Sequence, residues 1–327
     1  MDVVAFGETM IRLAAPGFQR LEQVASLNVT VGGAELNVAA GVARLGLKTA
    51  WVSRLPDNPL GRMACNKARE FGVDTSHIVW TTEDRMGLYF VEYGAAPRAS
   101  SVLYDREGSA ISRIQPGEVN WDHVLQGARL FHTTGITPAL SDSAATVVAE
   151  AMESAKRHGC LVSYDLNYRA KLWSTQKARQ VQEPLMAMVD ILSTTEEDTE
   201  KVFGVRADSY VDVARRLIDR FGFRVVTITL RETPSVWRNT WTAIAVDREG
   251  NVYDDRVYDI EIVDRVGGGD AYTAGFLYGY LTQGVAAGVQ YGNAFSALKQ
   301  TSWGDFNWAT RAEVEALLKG SGLRIAR

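Results

Sequence analysis

The chain has 327 residues, 46% of them apolar and 23% charged, and carries a formal net charge of −4. That is enough apolar sequence to bury a large core, as one big α/β domain or two ordinary ones. Both charge signs are scattered without a basic block, which argues against nucleic acid and anionic membrane as partners, and the isolated Cys65 and Cys160 argue against a disulfide framework or a thiolate zinc site.

In chain order, Met1-Asp2 leads into a strand-like apolar run at residues 3–6. No basic segment followed by an apolar one precedes it, and no apolar run approaches the ~18 residues of a membrane span. The expected location is a reducing cytoplasm. Residues 11–30 lack helical periodicity and predict short strands and turns. A helix is expected over 34–45, stopped by Gly46. A strand over 49–55, a helix over 60–71 closed by Gly72 and a short strand over 76–80 follow. Residues 87–93 and 101–104 are β-rich and broken by Gly94 and Pro97. With part of 11–30 they predict a small sheet projecting from the main body. From residue 130 onward, strands at 130–133, 160–165, 190–194 and 224–230 alternate with helices near 143–157 and 176–188. That alternation predicts a mostly parallel, doubly wound sheet with helices on both faces, whose ligands sit beyond the C-terminal strand ends.

Two glycine clusters carry the chemistry. The first is Val31-Gly32-Gly33-Ala34-Glu35-Leu36-Asn37, in which glycines run into a helix and Asn37 lies one turn inside it. The second is Val266-Gly267-Gly268-Gly269-Asp270-Ala271. A glycine-rich turn entering a helix presents bare N–H groups that suit phosphate oxygens. Asp270, on the first turn, suits a base for a substrate hydroxyl. The alternative is a tight strand-to-helix turn with Asp270 as its cap. Other motifs fail on spacing. After Gly41 and Gly46, Leu47 stands where a P-loop needs lysine. No GxGxxG follows the first strand, His77, His123, His132 and His158 are scattered, and there is no GxSxG.

Together these clusters, with Gly7-Glu8 at one end of the chain and Gly304-Asp305-Phe306 at the other, resemble the ribokinase-like (PfkB) carbohydrate kinase family. Within it, Tyr104-Asp105-Arg106, Gly135-Ile136-Thr137 and Asp165-Leu166-Asn167-Tyr168-Arg169 look like the 2-keto-3-deoxygluconate kinases. The resemblance implies a core of residues 1–10, 31–85 and 112–327 and a β lid of 11–30 and 86–111. It implies ATP-dependent phosphorylation of the terminal hydroxyl of a sugar acid, 2-keto-3-deoxy-D-gluconate to its 6-phosphate. Asp270 would be the base, with Gly267, Gly268 and Gly269 as the anion hole. Gly33, Ala34, Asn37, Tyr89, Tyr104, Ile136 and Asp305 would hold the sugar. Arg106 and Arg169 would clamp its carboxylate, since a guanidinium meets a carboxylate bidentately. ATP would contact Asn167, Thr195, Thr229, Arg231, Gly267, Gly269 and Asn293, and Mg²⁺ would be held through water by Asp198. The resemblance also leaves room for a monovalent cation near Asp264 and for a homo-oligomer through the lid.

Two departures mark the nucleotide side. Residues 229–234 lack the family's glycine-spaced loop, and Thr195 stands where an asparagine is usual. A kinase for a neutral ketose such as fructose, or a non-catalytic sugar-binding regulator, are the alternative readings. Without the resemblance, each single residue also has a plain role: the arginines as surface charges or cap partners, the tyrosines as sheet packing, Asp305 as a helix terminator and Glu8 as structural.

Overall fold

The first strand, β1 (Val3–Phe6), is apolar at every position because both of its faces are covered. Val4 and Phe6 enter one core layer, while Val3 and Ala5 point the other way; this is the two-residue period of a strand buried on both sides. In the computed structural model, which describes residues 1–320, β1 is followed by β2 (Met10–Ala14), β3 (Asn28–Gly32), α1 (Ala34–Leu45), β4 (Thr49–Val52), β5 (Arg54–Pro56), α2 (Pro59–Glu70), β6 (Val79–Thr81), β7 (Gly87–Glu92), β8 (Ser101–Asp105) and α3 (Trp121–Leu125). Then come β9 (Leu130–Thr134), α4 (Asp142–Arg157), β10 (Leu161–Asp165), α5 (Thr175–Leu185), β11 (Ile191–Thr194), α6 (Glu196–Phe203), α7 (Tyr210–Phe221) and β12 (Val225–Ser235). The chain continues through β13 (Arg238–Asp247), β14 (Val252–Tyr253), β15 (Tyr258–Glu261), α8 (Gly268–Gln283), α9 (Val285–Gln300) and α10 (Arg311–Leu318). Residues 321–327, the end of the expected core, lie outside the described residues.

Among the described residues the central sheet runs β14-β13-β12-β11-β10-β9-β1-β4, with β15 also on β13. Pairing is parallel from β4 to β12 and antiparallel beyond. On one face α3, α4, α5, α6 and α7 bury residues such as Trp121, Val148, Ala178, Val202 and Leu217 against Phe131, Tyr164 and Val226. On the other face α1, α8, α9 and α10 contribute Val38, Phe276, Phe295 and Val314. Helices α8 and α9 pack almost backbone to backbone: a Cβ on Gly275 would lie 2.5 Å from the Tyr291 carbonyl oxygen, and one on Gly279 2.5 Å from that of Ala287. A separate sheet runs β3-β2-β7-β8, and β5 pairs with β6 in a third.

Several expected boundaries shift for local reasons. The strand expected over 49–55 divides at Ser53, whose hydroxyl bonds the Gly7 carbonyl at 2.8 Å, so β4 joins the central sheet and β5 leaves it. The short strand expected over 76–80 forms as β6, because Asp74 and Ser76 close a turn first. Helix α5 ends at Leu185 just after Pro184, in a single 3₁₀ turn, rather than running to 188. The strand expected to stop at 230 continues to Ser235, because β13 pairs with it antiparallel from Val225 to Ser235. Residues 229–234, where the family's glycine-spaced loop is missing, are part of an extended hairpin arm. No helix of the described residues is long and apolar enough to cross a membrane.

Candidate active site

Both glycine clusters start helices at one cleft. Gly33 is the N-cap of α1 and Gly267 that of α8. Asp270 is therefore not a cap; it is the third residue inside α8. The cleft has a volume of about 1320 Å³. It opens beyond the C-terminal ends of β10 and β11, where Asp165, Ser193 and Thr194 line it, as ligands do in open α/β sheets.

Glycine is required at the start of each helix because the backbones crowd. A Cβ on Gly33 would sit 2.1 Å from the Glu8 carbonyl oxygen, and one on Gly32 2.1 Å from the Asp305 carboxylate. Gly267 is left-handed at φ 83°, and its Cβ would meet the Asp305 carbonyl oxygen at 2.3 Å. Gly269 differs: a Cβ there would meet nothing within 4 Å. Its bareness leaves space on the cleft side. The N–H groups of Gly267, Gly269 and Asp270 make no hydrogen bond within the described chain. At a helix N-terminus, such free donors form an anion cradle.

The base candidate is tied to the other cluster. Asn37 Nδ2 donates to Asp270 Oδ2 at 2.7 Å. Burial pushes the Asp270 carboxyl up to about 6, against the pull of Asn37; Asp305 adds to the rise, while Arg169 and Lys299 oppose it. Part of the residue still faces the cleft, so its free oxygen can meet a ligand. Behind it, Glu35 is fully buried; Thr134 and Thr137 hydroxyls donate to its Oε1 at 2.8 Å, and burial pushes its carboxyl up to about 7.

The small sheet supplies one wall. Tyr89, on β7, donates to Asp305 Oδ2 at 2.6 Å and is almost fully buried. Tyr104, at the end of β8, is exposed and has the guanidinium of Arg106 5.3 Å from its ring centre. Arg106 is ion-paired with buried Glu8, which also accepts from the Ser109 hydroxyl at 2.7 Å. Glu8, read from sequence as structural, therefore lines the cleft and fixes the direction of Arg106. Asp305 is likewise engaged, by Tyr89 and by Arg12 Nη1 at 2.8 Å. Arg169 also lines the cleft; it is exposed, and its side chain makes only a long 3.4 Å contact with the Tyr168 carbonyl. Asn167 beside it is the one non-glycine residue at positive φ, 38°, among the described residues; such backbone is sparsely populated and tends to mark functional loops.

Gly33, Ala34, Asn37, Tyr89, Tyr104, Arg106, Ile136, Asn167, Arg169, Thr195, Asp198, Thr229, Arg231, the Gly267–Gly269 run, Asp270 and Asp305 all line the cleft. Asn293 does not. It is fully buried within α9, with Asp255 beside it, because that face of α9 packs under the sheet. Each Asp264 oxygen accepts at least one donor, from Arg12, Tyr93, Lys299 or backbone N–H groups. Sequence reading missed Arg12, Glu35, Arg265 and Lys299. The readable signal was a charge inside an apolar pattern: Ile11-Arg12-Leu13 in a strand, Leu298-Lys299 in a buried helix.

On the nucleotide side, Thr195 caps α6 by accepting from the Asp198 N–H at 3.1 Å. Arg231 and Arg265 line the cleft and have no ion pair among the described residues, as would suit an anionic ligand. Burial, with Arg231 nearby, holds Arg265 below its ordinary range. Asp165 is pushed up to about 8 by burial, then by Asp270 and Asp198; Asp198 is also pushed up by burial. This is a surplus of carboxylate that a divalent cation would relieve. Among the described residues no group of three or more metal-binding side chains closes around one point. Mg²⁺ characteristically keeps waters and binds one or two carboxylates plus phosphates.

Comparison with known proteins agrees with this geometry. The sequence profile of the pfkB family carbohydrate kinases matches residues 1–308. The 2-dehydro-3-deoxygalactonokinase of Haloferax volcanii is 38% identical over 327 residues, spanning 100% of this chain and 99% of that one. The 2-dehydro-3-deoxygluconokinase of Thermoproteus tenax is 32% identical, spanning 86% of this chain and 82% of its own. The crystal structure of 2-dehydro-3-deoxygluconokinase from Thermotoga maritima superimposes with a TM-score of 0.95 at 41% identity, covering 98% of both chains. With two glycine-started helices facing one cleft of a doubly wound sheet, the chain belongs to the pfkB family of carbohydrate kinases.

Proposed function

We propose that the chain transfers the γ-phosphoryl group of ATP to the terminal hydroxyl of a 2-keto-3-deoxy sugar acid, 2-keto-3-deoxy-D-gluconate in the first instance. The observation that carries this reading is the Asn37–Asp270 hydrogen bond beside three unpaired N–H groups, facing two arginines. Asn37 fixes one Asp270 oxygen, which leaves the other for the sugar hydroxyl. As that hydroxyl oxygen bonds to phosphorus and the bond to ADP breaks, Asp270 takes the proton. A base that titrates near 6 is matched to neutral pH. The Gly267, Gly269 and Asp270 N–H groups oppose charge on the transferring oxygens, and Arg231 and Arg265 meet the phosphates behind them.

Asp198, with Asp165 beside it, would hold Mg²⁺, which neutralises phosphate charge when bound. Arg106, which also pairs with Glu8, and Arg169 both line the cleft, and a substrate carboxylate would meet the two guanidinium groups there. The small sheet, carrying Tyr89, Tyr104 and Arg106, acts as a lid that excludes water from the phosphoryl group.

The test is ATP turnover against 2-keto-3-deoxy-D-gluconate, its galactonate epimer, fructose and ribose. The keto-deoxy acids should give the highest kcat/KM. Fructose at an equal or higher value overturns the sugar-acid reading. Binding of a sugar acid without turnover leaves a regulator.

A further inference from the structure

Beneath the anion loop lies a charged cluster of which Asp305 alone also lines the cleft; the proposed phosphoryl-transfer step does not use it. Arg12, from β2 of the small sheet, is 1% exposed; Nη1 donates to Asp305 at 2.8 Å and Nη2 to Asp264 at 2.6 Å. Lys299, from α9, is 0% exposed, and its ammonium donates to the Asp264 main-chain oxygen at 2.8 Å. Asp264 Oδ1 accepts the Val266 N–H at 3.1 Å, and Oδ2 accepts the Gly304 N–H at 3.1 Å and the Tyr93 hydroxyl at 2.8 Å. Asp264 and Asp305 both abut the loop: Asp264 stands three residues before Gly267, and the Asp305 carbonyl oxygen packs against it.

Two cations thus face two carboxylates, and the group is neutral as built. A buried cation costs several kcal/mol unless it is paired, so these two are retained in a matched set. An alkali ion at Asp264 would need oxygen ligands. Each Asp264 oxygen already accepts a donor, and a third positive charge would leave the buried group with a net charge.

We propose that Lys299 and Arg12 supply, as fixed side-chain cations, the positive charge under the anion loop, that Lys299 is a positioning residue for that loop, and that turnover needs no monovalent ion. The proposal rests on the loop being the phosphoryl site. Lys299 acts through the Asp264 carbonyl, in the loop after β15 that sets where Val266 to Gly269 begin. Burial holds the ammonium down at about 8, against the attraction of Asp264 and Asp305, and it remains protonated at neutral pH.

The experiment has two arms. Turnover and thermal midpoint of the wild-type protein are compared in K⁺, Na⁺, ammonium and choline chloride at one ionic strength. Rates should agree within about twofold, with an unmoved midpoint; activation by K⁺ or Na⁺ of about tenfold or more, or a midpoint that rises with either, overturns the proposal. Lys299→Met should lose about 10–100-fold in kcat with the sugar KM little changed, because a displaced loop weakens the transition state more than sugar binding. Ammonium or K⁺ should restore part of that loss and raise the midpoint of the variant alone. An unchanged kcat in Lys299→Met removes the positioning role. If that variant does not fold, the wild-type ion series decides by itself. The melting arm uses no substrate, so its outcome holds even if the sugar assignment is wrong.

Discussion

The loop that enters α8 has two sides built on opposite rules. On the cleft side, Asp165, Asp198 and Asp270 are each pushed up by burial, and Arg169, Arg231 and Arg265 lack ion pairs among the described residues. Behind the loop, Arg12 and Lys299 are matched to Asp264 and to Asp305, the latter also reaching the cleft. Similar groups lie on the two sides. What differs is whether the chain or a ligand provides the partner. The chain completes its own pairs beneath the loop and leaves several open in the cleft, where the proposed reaction would bring phosphate and a cation.

The sharpest way to break this comparison is Asp270→Asn. Turnover should fall by about 10²–10⁴ while sugar binding stays within about tenfold, since the amide keeps the shape but cannot take a proton. The thermal midpoint at neutral pH should hold or rise. A carboxyl raised in the folded state favours folding when protonated and loses that contribution as pH climbs through about 6, so the ionised Asp270 is a cost that the amide removes. Near wild-type kcat would take Asp270 out of the base role.

The two arginines sharpen it next. Arg106→Ala and Arg169→Ala should each weaken kcat/KM for the sugar acid by about 2–5 kcal/mol and leave a neutral ketose nearly unchanged. Their stabilities should diverge. Arg106→Ala leaves the buried Glu8 without its cation, so its midpoint should drop, whereas exposed Arg169 has no such partner. Equal loss on both substrates would make the arginines structural or nucleotide contacts.

The glycines give a smaller and cleaner contrast. Gly267→Ala should destabilise, because its φ is left-handed and the Asp305 backbone blocks a Cβ. Gly269→Ala should keep its midpoint and lose about 10–100-fold in turnover, because the only thing a methyl meets there is ligand. If melting separates the two variants but activity does not, the space at Gly269 is not a phosphoryl site.

The smallest effect is in the pH profile. With Asp270 near 6, kcat/KM should fall on the acid side, about tenfold for each pH unit below that value, as the base takes up its proton before substrate arrives. Asp270→Asn should flatten that limb. A limb that persists in the variant belongs to another group, Asp165 or Glu35 being the neighbours to examine.

Much of the doubly wound sheet and the front of the site was legible because both are written locally. Helix α1 runs from glycine to glycine, Ala34–Leu45, and Gly267 to Asp270 reads as an anion turn within four residues. The Asn37–Asp270 bond joins positions 233 apart, yet each half carries its own signature. The far side carries only a lone charge in an apolar run, at Arg12 and at Lys299. Arg12 is one charge in a strand, and nothing near it in sequence shows that Asp264 and Asp305 will meet it. The hairpin of β12 and β13 was missed for a related reason: residues 229–234 have no turn chemistry of their own, and only pairing with β13 keeps them extended. Glu8 read as structural because the burial that makes it an anchor for Arg106 comes from Ser109 and the small sheet.

The buried quartet also constrains how this sequence can drift. Residues 12, 264, 299 and 305 come from three separate stretches of chain, yet they balance to zero charge only as a set. Any one replacement strands a charge in the interior, while two compensating replacements need not. These positions should therefore change jointly among related chains. A relative with a neutral residue at the place of Lys299 should also alter a carboxylate, alter Arg12, or take up a soluble ion. Salt requirement would then be an inherited variable, readable from four letters of sequence.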